Sequence, residues 1–179
     1  ASYRSVIAKC LYLAKRTRPD ILFSVNMLTR AALAPTGRDK ARLHRVLKYL
    51  NYSRMRILKI HTKNIRLTAH IDAAFANHSD RKSHTGAIIQ LGGALIWAKS
   101  VKQSIVTKSS TEAELVALSD MASMLLWASL LLAELGFEQK IAPPLALQDN
   151  KSTIAITQKG TTSNERTRHI DTRYLWIKE

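Results

Sequence analysis

The sequence predicts a mixed α/β fold, in which a sheet is flanked by helices and preceded by a basic helical segment. Three observations carry that expectation. Apolar residues recur at helical spacing through the first third of the chain and at β-type spacing from Ile57 onward. Gly92-Gly93 falls between two β-rich runs, as a hairpin turn does. A long apolar helical stretch then leads into one further strand, and hairpins joined by a helical crossover to another strand make a mixed sheet. The expected division is a basic helical segment at 1–56 and an α/β domain at 57–179.

Taken in order, "YRSVIAKCLYLA" places Tyr3, Val6, Ile7, Cys10, Leu11 and Leu13 on one helical side, and "DILFSVNMLTRAAL" repeats the pattern. Pro19-Asp20 separates these two helices, the aspartate suiting a positive helix terminus. The stretch "PTGRDKARLHRVLKYLNYS" opens with turn residues and predicts a third helix with Ala41, Leu43, Val46, Leu47 and Leu50 inward. Its outer surface is Arg38, Lys40, Arg42, Arg45 and Lys48.

The β-rich runs are "MRILKIHT", "IRLTAHIDAAF", "TGAIIQLGGALIWAKS" and "SIVTKS", giving three strands. A helix from about Thr111 to Leu135 follows, stopped by Gly136 as a left-handed cap. Then "PPLALQDN" reads as a buried strand, "KSTIAITQ" as a short helix, "KGTTSNER" as a loop and "RHIDTRYLWIKE" as a last helix.

Charge is unevenly spread. Residues 1–66 hold sixteen Lys or Arg against Asp20 and Asp39, giving +14, whereas 67–179 hold twelve against eleven acids, giving +1. A solvated surface ordinarily mixes the two signs, so this imbalance points to a polyanion, with nucleic-acid phosphates the expected partner. The one cysteine, Cys10, excludes a disulfide framework and a cysteine-rich zinc site, and reads as a buried thiol. The longest apolar run, Met121 to Phe137, is interrupted by Ser123, Ser129 and Glu134 and falls short of a membrane span of about 20 residues, so no membrane partner is expected. The basic, acid-free N-terminus shares its composition with mitochondrial presequences, which leaves that compartment open.

Four carboxylates fall at element edges: Asp72 in "LTAHID", Glu112 and Glu114 in the first turn of the long helix, and Asp149 in "LALQD". In a mixed sheet such edges converge, and three close carboxylates repel unless hard cations such as Mg²⁺ or Mn²⁺ neutralise them. The same glutamates also satisfy capping boxes, Ser109-x-x-Glu112 and Thr111-x-x-Glu114, and Asp-Asn after a strand is a common turn. Helical direction separates the two: Glu114 shares a stripe with Ala117, Leu118, Met121 and Leu125, while Glu112 aligns with Val116, Ser119 and Ser123. Glu114 is thus expected to face the sheet and Glu112 to cap.

The motifs resemble the end of copia-type LTR retrotransposon polyproteins, the connection segment plus ribonuclease H. "YRSVIAKCLYLAKRTRPDILFSVNMLTR", "RVLKYL", "IDAAFANHSDRKSHTGAIIQLGGALIWAKSVKQSIVTKSSTEAELVALS", "QDNKSTIAI" and "RTRHIDTRYLWIKE" carry the likeness over nearly the whole chain. The resemblance implies a ribonuclease H-like fold in which Asp72, Glu114 and Asp149 are catalytic, metal-binding carboxylates. The implied reaction is two-metal hydrolysis of RNA in an RNA/DNA hybrid. The family's fourth carboxylate follows in a later "LAD" motif, and the sequence ends at Glu179, ahead of the last strand and helix that would carry it. Ala74 and Phe75 stand where the family has Asp and Trp. His169 is a candidate for orienting a phosphate, and Asp171 belongs to the "HID" motif rather than to the metal set.

Two functions are expected to compete. One is a ribonuclease H-type endonuclease using Mg²⁺ or Mn²⁺ at Asp72, Glu114 and Asp149. The other is a domesticated, noncatalytic RNA-binding component among the proteins of a large ribonucleoprotein such as an organellar ribosome, contacting RNA through Arg38, Lys40, Arg42, Arg45 and Lys48.

Overall fold

The computed structural model describes residues 2–62, 64–137 and 142–159. The chain divides into two compact units, Ala1–Lys59 and Ile60–Glu179.

The first unit is helical. Helix α1 (Tyr3–Arg16) starts at Ser2, whose hydroxyl accepts from the Ser5 amide, and ends on Lys15 and Arg16, which suit the negative end of the helix dipole. Ile7, Cys10 and Ala14 face inward at i, i+3 and i+7. Leu13, expected inside, is exposed and Ala14 is buried: Leu13 stands at the edge of the Ile7–Cys10–Ala14 stripe, the face that α1 turns inward. Burial pushes the Cys10 thiol above its ordinary range.

A single 3-10 turn, Pro19–Ile21, leads into α2 (Leu22–Thr29), which buries Leu22, Val25 and Leu28. Helix α3 (Gly37–Tyr52) opens with a reciprocal capping box between Thr36 and Asp39. Leu43 and Val46 are buried and Leu50 is half-buried, but Ala41 and Leu47, expected inside, are exposed. Helical rotation explains the correction: Leu47 lies at the edge of the Leu43–Val46–Leu50 stripe and Ala41 on the opposite side of the helix.

Arg18 locks the unit. Its guanidinium donates to Asp20 through Nε (3.0 Å) and Nη2 (2.8 Å), to the Ser53 hydroxyl (2.6 Å) and to the Ser53 carbonyl (3.2 Å). Tyr49 donates its hydroxyl to Asp20 at 2.8 Å. The Arg-Pro-Asp step thereby ties the α1–α2 turn to the end of α3, 35 residues away, through the fixed fork that only arginine presents.

The second unit is a four-stranded mixed sheet with helices. Strands β1 (Arg66–Ala74), β2 (His84–Leu91) and β3 (Ala94–Lys102) are antiparallel, while β4 (Ala142–Leu147) pairs parallel to β1, in the order β3-β2-β1-β4. Gly92 and Gly93 close the β2–β3 hairpin with positive φ at both central positions (+56° and +90°), the backbone such a tight turn requires. "MRILKIHT" and "SIVTKS" form no strand among the described residues. Neither run finds a partner in the sheet, and β propensity without pairing makes no strand.

Helix α4 (Ser110–Leu132) lies on the sheet. Ala117, Leu118, Met121, Leu125 and Ala128 pack on Leu67, Ala69 and Ile71 of β1 and Ala87 and Ile89 of β2, with Trp97 of β3 at the margin. Met121 is fully buried, and each large side chain removed from water this way contributes about 1.5–3 kcal/mol. The start of the helix is fixed from below by Gln103, whose amide donates to Thr85 (3.1 Å) and to the Ala113 carbonyl (2.8 Å). A π turn, Ala133–Phe137, ends the helix with Gly136 at φ +83°, the left-handed residue foreseen there. The whole element Ser110–Phe137 is 28 residues and, by length and composition, long and apolar enough to cross a membrane, which corrects the shorter span read from the apolar run. The stripe that faces the sheet is the core of this unit.

Strand β4 departs from its expected burial: Pro143 to Leu147 are exposed. Pro143 and Pro144 sit where the β1–β4 register shifts, consistent with two residues that have no amide to donate to a ladder. Helix α5 (Lys151–Lys159) follows. The expected loop "KGTTSNER" and last helix, with His169 and Asp171, lie outside the described residues apart from Lys159, which ends α5.

Candidate functional site

Three elements aim a carboxylate at one point. Asp72 comes from β1, two residues before the strand ends rather than at its last residue as the sequence suggested, since pairing with β2 continues to Ala74. Its side chain alternates away from the α4 face, because Leu67, Ala69 and Ile71 occupy that face. Glu114 comes from the second turn of α4, and Asp149 from the segment between β4 and α5.

One carboxylate oxygen from each of Asp72, Glu114 and Asp149 lies within 4.8 Å of the others. Among the described residues this is the one such cluster of potential metal ligands. The parallel β1–β4 pair makes it possible, because both strands then end on the same side.

Glu114 is buried, whereas Asp72 and Asp149 are exposed. Burial pushes the Glu114 carboxyl above its ordinary value, and the neighbouring charges of Asp72 and Asp149 push the same way. Hydrogen bonds oppose the shift: the Gln148 amide donates to Glu114 at 2.9 Å, and the Ala73 backbone also contributes. A set of three acidic oxygens around a charge-burdened buried glutamate fits a hard divalent ion, the donor type that Mg²⁺ and Mn²⁺ prefer.

Gln148 was not singled out by sequence. Its other end accepts from the Asp149 amide (2.8 Å) and the Asn150 amide (3.2 Å), so one side chain holds the β4–α5 turn against α4. Asn150 accepts from the Thr153 amide at 3.0 Å, starting α5 in register with that turn. The only legible signal was the polar "QDN" run at the strand end. Gly86, opposite Asp72 on β2, is the second missed feature: without a side chain it leaves the floor beside the carboxylate open, in a depression of ≈ 490 Å³ that also meets His70, Ile88 and Leu147.

Glu112 is not part of the cluster. It accepts from the Lys108 amide at 2.6 Å, one residue before the N-cap, while its own amide donates to the Ser109 hydroxyl at 3.1 Å, so both bonds serve the helix start. The two glutamates thus divide between capping and the acidic cluster.

Arg38, Lys40, Arg42, Arg45 and Lys48 are all exposed on α3, but not as one patch. Arg38, Arg42 and Arg45 follow one stripe at i, i+4 and i+7, and Lys40 and Lys48 are rotated away from it.

A mixed four-stranded sheet with flanking helices, following a basic helical unit along the chain, defines an α/β protein of the ribonuclease H-like fold class. Sequence comparison narrows this to a family. The chain is 33% identical over 179 residues to a retrovirus-related Pol polyprotein from transposon TNT 1-94 of Nicotiana tabacum, covering 99% of the chain and 13% of that polyprotein. It is 33% identical over 178 residues to the corresponding polyprotein from transposon RE1 of Arabidopsis thaliana, covering 98% and 12%. It is 28% identical over 181 residues to the transposon Ty1-JR1 Gag-Pol polyprotein of Saccharomyces cerevisiae, covering 98% and 10%. The chain is a retroelement-derived relative of copia-type retrotransposon polyproteins, and it spans only 10–13% of the length of those relatives. No family model matches the chain, and no solved structure does.

Proposed function

We propose that the chain supplies the carboxylate centre of a retroelement ribonuclease H, with residues 1–56 as the connection segment that precedes it. The observation that carries this reading is the gathering of Asp72, Glu114 and Asp149 within 4.8 Å in a relative of Pol polyproteins. Those three residues would hold Mg²⁺ or Mn²⁺, and the substrate class is the RNA strand of an RNA/DNA hybrid. A divalent ion bound there supplies a water of lowered pKa and charge stabilisation for a leaving phosphodiester oxygen.

The chain's own residues do the rest. Glu114, buried and burdened by two neighbouring charges, keeps the site in need of a cation. Gln148 orients the Glu114 carboxylate and, through the turn it holds, Asp149. Gly86 leaves room for a strand to approach Asp72. Incubating the protein with a labelled hybrid and Mg²⁺ tests the proposal: cleavage abolished by Asp149→Asn is expected. No cut above background, or a cut that Asp149→Asn leaves intact, rejects catalysis.

A second reading, a noncatalytic RNA-binding component of a large ribonucleoprotein, is favoured by the exposure of all five α3 cations in a unit with fourteen Lys or Arg and two Asp. It expects RNA binding that survives Asp149→Asn, weakens steeply with salt, and falls when Arg42, Arg45 and Lys48 are neutralised. Salt-insensitive binding refutes it.

A further inference from the structure

The first unit holds a groove of ≈ 570 Å³ between the 3-10 turn with α2 on one side and α3 on the other. Ile21, Leu28 and Val46 form its buried floor, and Met27 and the half-exposed Phe23 form its apolar wall. Arg42 and Arg45 stand along the α3 rim, with Arg38 one turn before them.

The electrostatics of the rim are one-sided. Asp20 lies at the groove, but its charge is taken up by Arg18 at 2.8 Å and by the Tyr49 hydroxyl. Arg42, its side chain exposed, meets the half-buried Asp39 only at 3.9 Å, and Asp39 is already engaged by the Thr36 hydroxyl and amide, so the pair is weak. Arg45 has no ion pair among the described residues. An apolar floor beside unspent guanidiniums calls for a partner with apolar and acidic groups side by side.

Dimensions and ring chemistry choose the class of partner. The α3 lining residues Arg42, Arg45, Val46 and Tyr49 span two turns, about 10 Å, the reach of apolar residues at i, i+4 and i+7 on another helix. A nucleic-acid strand binds through successive aromatic platforms as well as cations. Here Tyr49 is covered by the guanidiniums of Arg18 and Arg56, at 5.5 and 5.8 Å from its ring centre, and Phe23 is the one other ring among the described lining residues, so the groove offers no succession of platforms.

We propose that this groove receives an amphipathic helix of a protein partner, its apolar ridge against Phe23, Met27 and Val46 and its acidic flank against Arg42 and Arg45. The inference stands apart from the carboxylate centre and from any nuclease activity.

Fluorescence anisotropy of the full chain with three labelled 18-residue helical peptides tests it. One carries leucines at i, i+4 and i+7 flanked by glutamates, one the same leucines flanked by lysines, and one the glutamates with serines for leucines. The acidic, leucine-bearing peptide is expected to bind at least about tenfold tighter than either control, and more weakly as salt rises. The double variant Arg42→Glu with Arg45→Glu changes only exposed positions; it is expected to lose the acidic peptide by about tenfold and to gain the lysine-flanked one. Met27→Glu, which blocks the wall without touching the rim charges, is expected to lose the acidic peptide as well. Equal binding of the acidic peptide and its serine control, or affinities that the charge reversal leaves unchanged, overturns the proposal. A single-stranded RNA 12-mer that binds through Arg42 and Arg45 while the peptides do not overturns it too, and makes the groove a nucleic-acid surface.

Discussion

The side-chain amide of Gln148 donates to the Glu114 carboxylate at 2.9 Å, joining the turn after β4 to the helix that covers the sheet. One residue thereby couples the geometry of Asp149 to that of Glu114, since the same side chain accepts from the Asp149 amide. Gln148→Ala is expected to destabilise the second unit by about 1–3 kcal/mol, the cost of leaving a buried acceptor unsatisfied. Urea denaturation followed by tryptophan fluorescence measures it. A change within error would mean the turn is held by other contacts.

The raised Glu114 carboxyl makes stability depend on pH in a definite direction. A carboxyl with a higher pKa folded than unfolded binds its proton more tightly in the native state, so its stabilising effect is complete below the unfolded value, ordinarily 4.5, and is lost as pH rises through the folded one. Without divalent cations the second unit is therefore expected to lose stability as pH climbs from 4.5, and Glu114→Gln to remove that slope. Added Mg²⁺ should restore stability to the parent chain and not to the variant. An identical slope in Glu114→Gln would assign the titration elsewhere.

Glu112 gives the contrasting result. Its carboxylate accepts from the Lys108 amide, so Glu112→Ala should cost about 1 kcal/mol of stability as a lost cap, with the response to Mg²⁺ unchanged. Thermal melts with and without the ion separate the two glutamates. Loss of the Mg²⁺ response in Glu112→Ala would count against the division.

In the first unit, Arg18 holds the Asp20 carboxyl below its ordinary value of 3.8. Here the sign is reversed: the stabilisation is present above 3.8 and disappears as pH falls through the lowered folded-state value. Arg18→Lys, which keeps the charge but not the fork, is expected to cost about 1–3 kcal/mol and to flatten the acid limb of the curve. Circular dichroism between pH 2 and 6 follows the helices directly.

At the hairpin, Gly92→Ala is expected to be the more damaging of the two glycine substitutions. Both positions have positive φ, but a Cβ at Gly92 would run into the Asn64 backbone, whereas one at Gly93 meets nothing within 4 Å. A loss well above about 1 kcal/mol at Gly92, and a smaller one at Gly93, is the expected ranking. Equal losses would show that backbone strain alone decides.

Local periodicity carried much of the molecule. The shift from helical to β-type spacing, the glycine pair of the hairpin, the left-handed Gly136 and the separation of Glu114 from Glu112 all depend on residues within a few positions of each other, where side-chain direction follows from the backbone repeat. The acidic positions were legible as well, because each sits close to the edge of an element.

Other features depended on contacts between distant residues, which no local repeat encodes. Ala14 rather than Leu13 turns inward because of what packs against α1, and pairing with β2 carries β1 beyond Asp72. Gln148 reaches a helix 34 residues earlier in the chain. Which side of α3 is buried is set where Leu43 and Val46 pack, and that leaves Ala41 and Leu47 outside. Composition and spacing named the groups, and the packing of one element on another set their partners, because burial and hydrogen bonding are settled by neighbours in space.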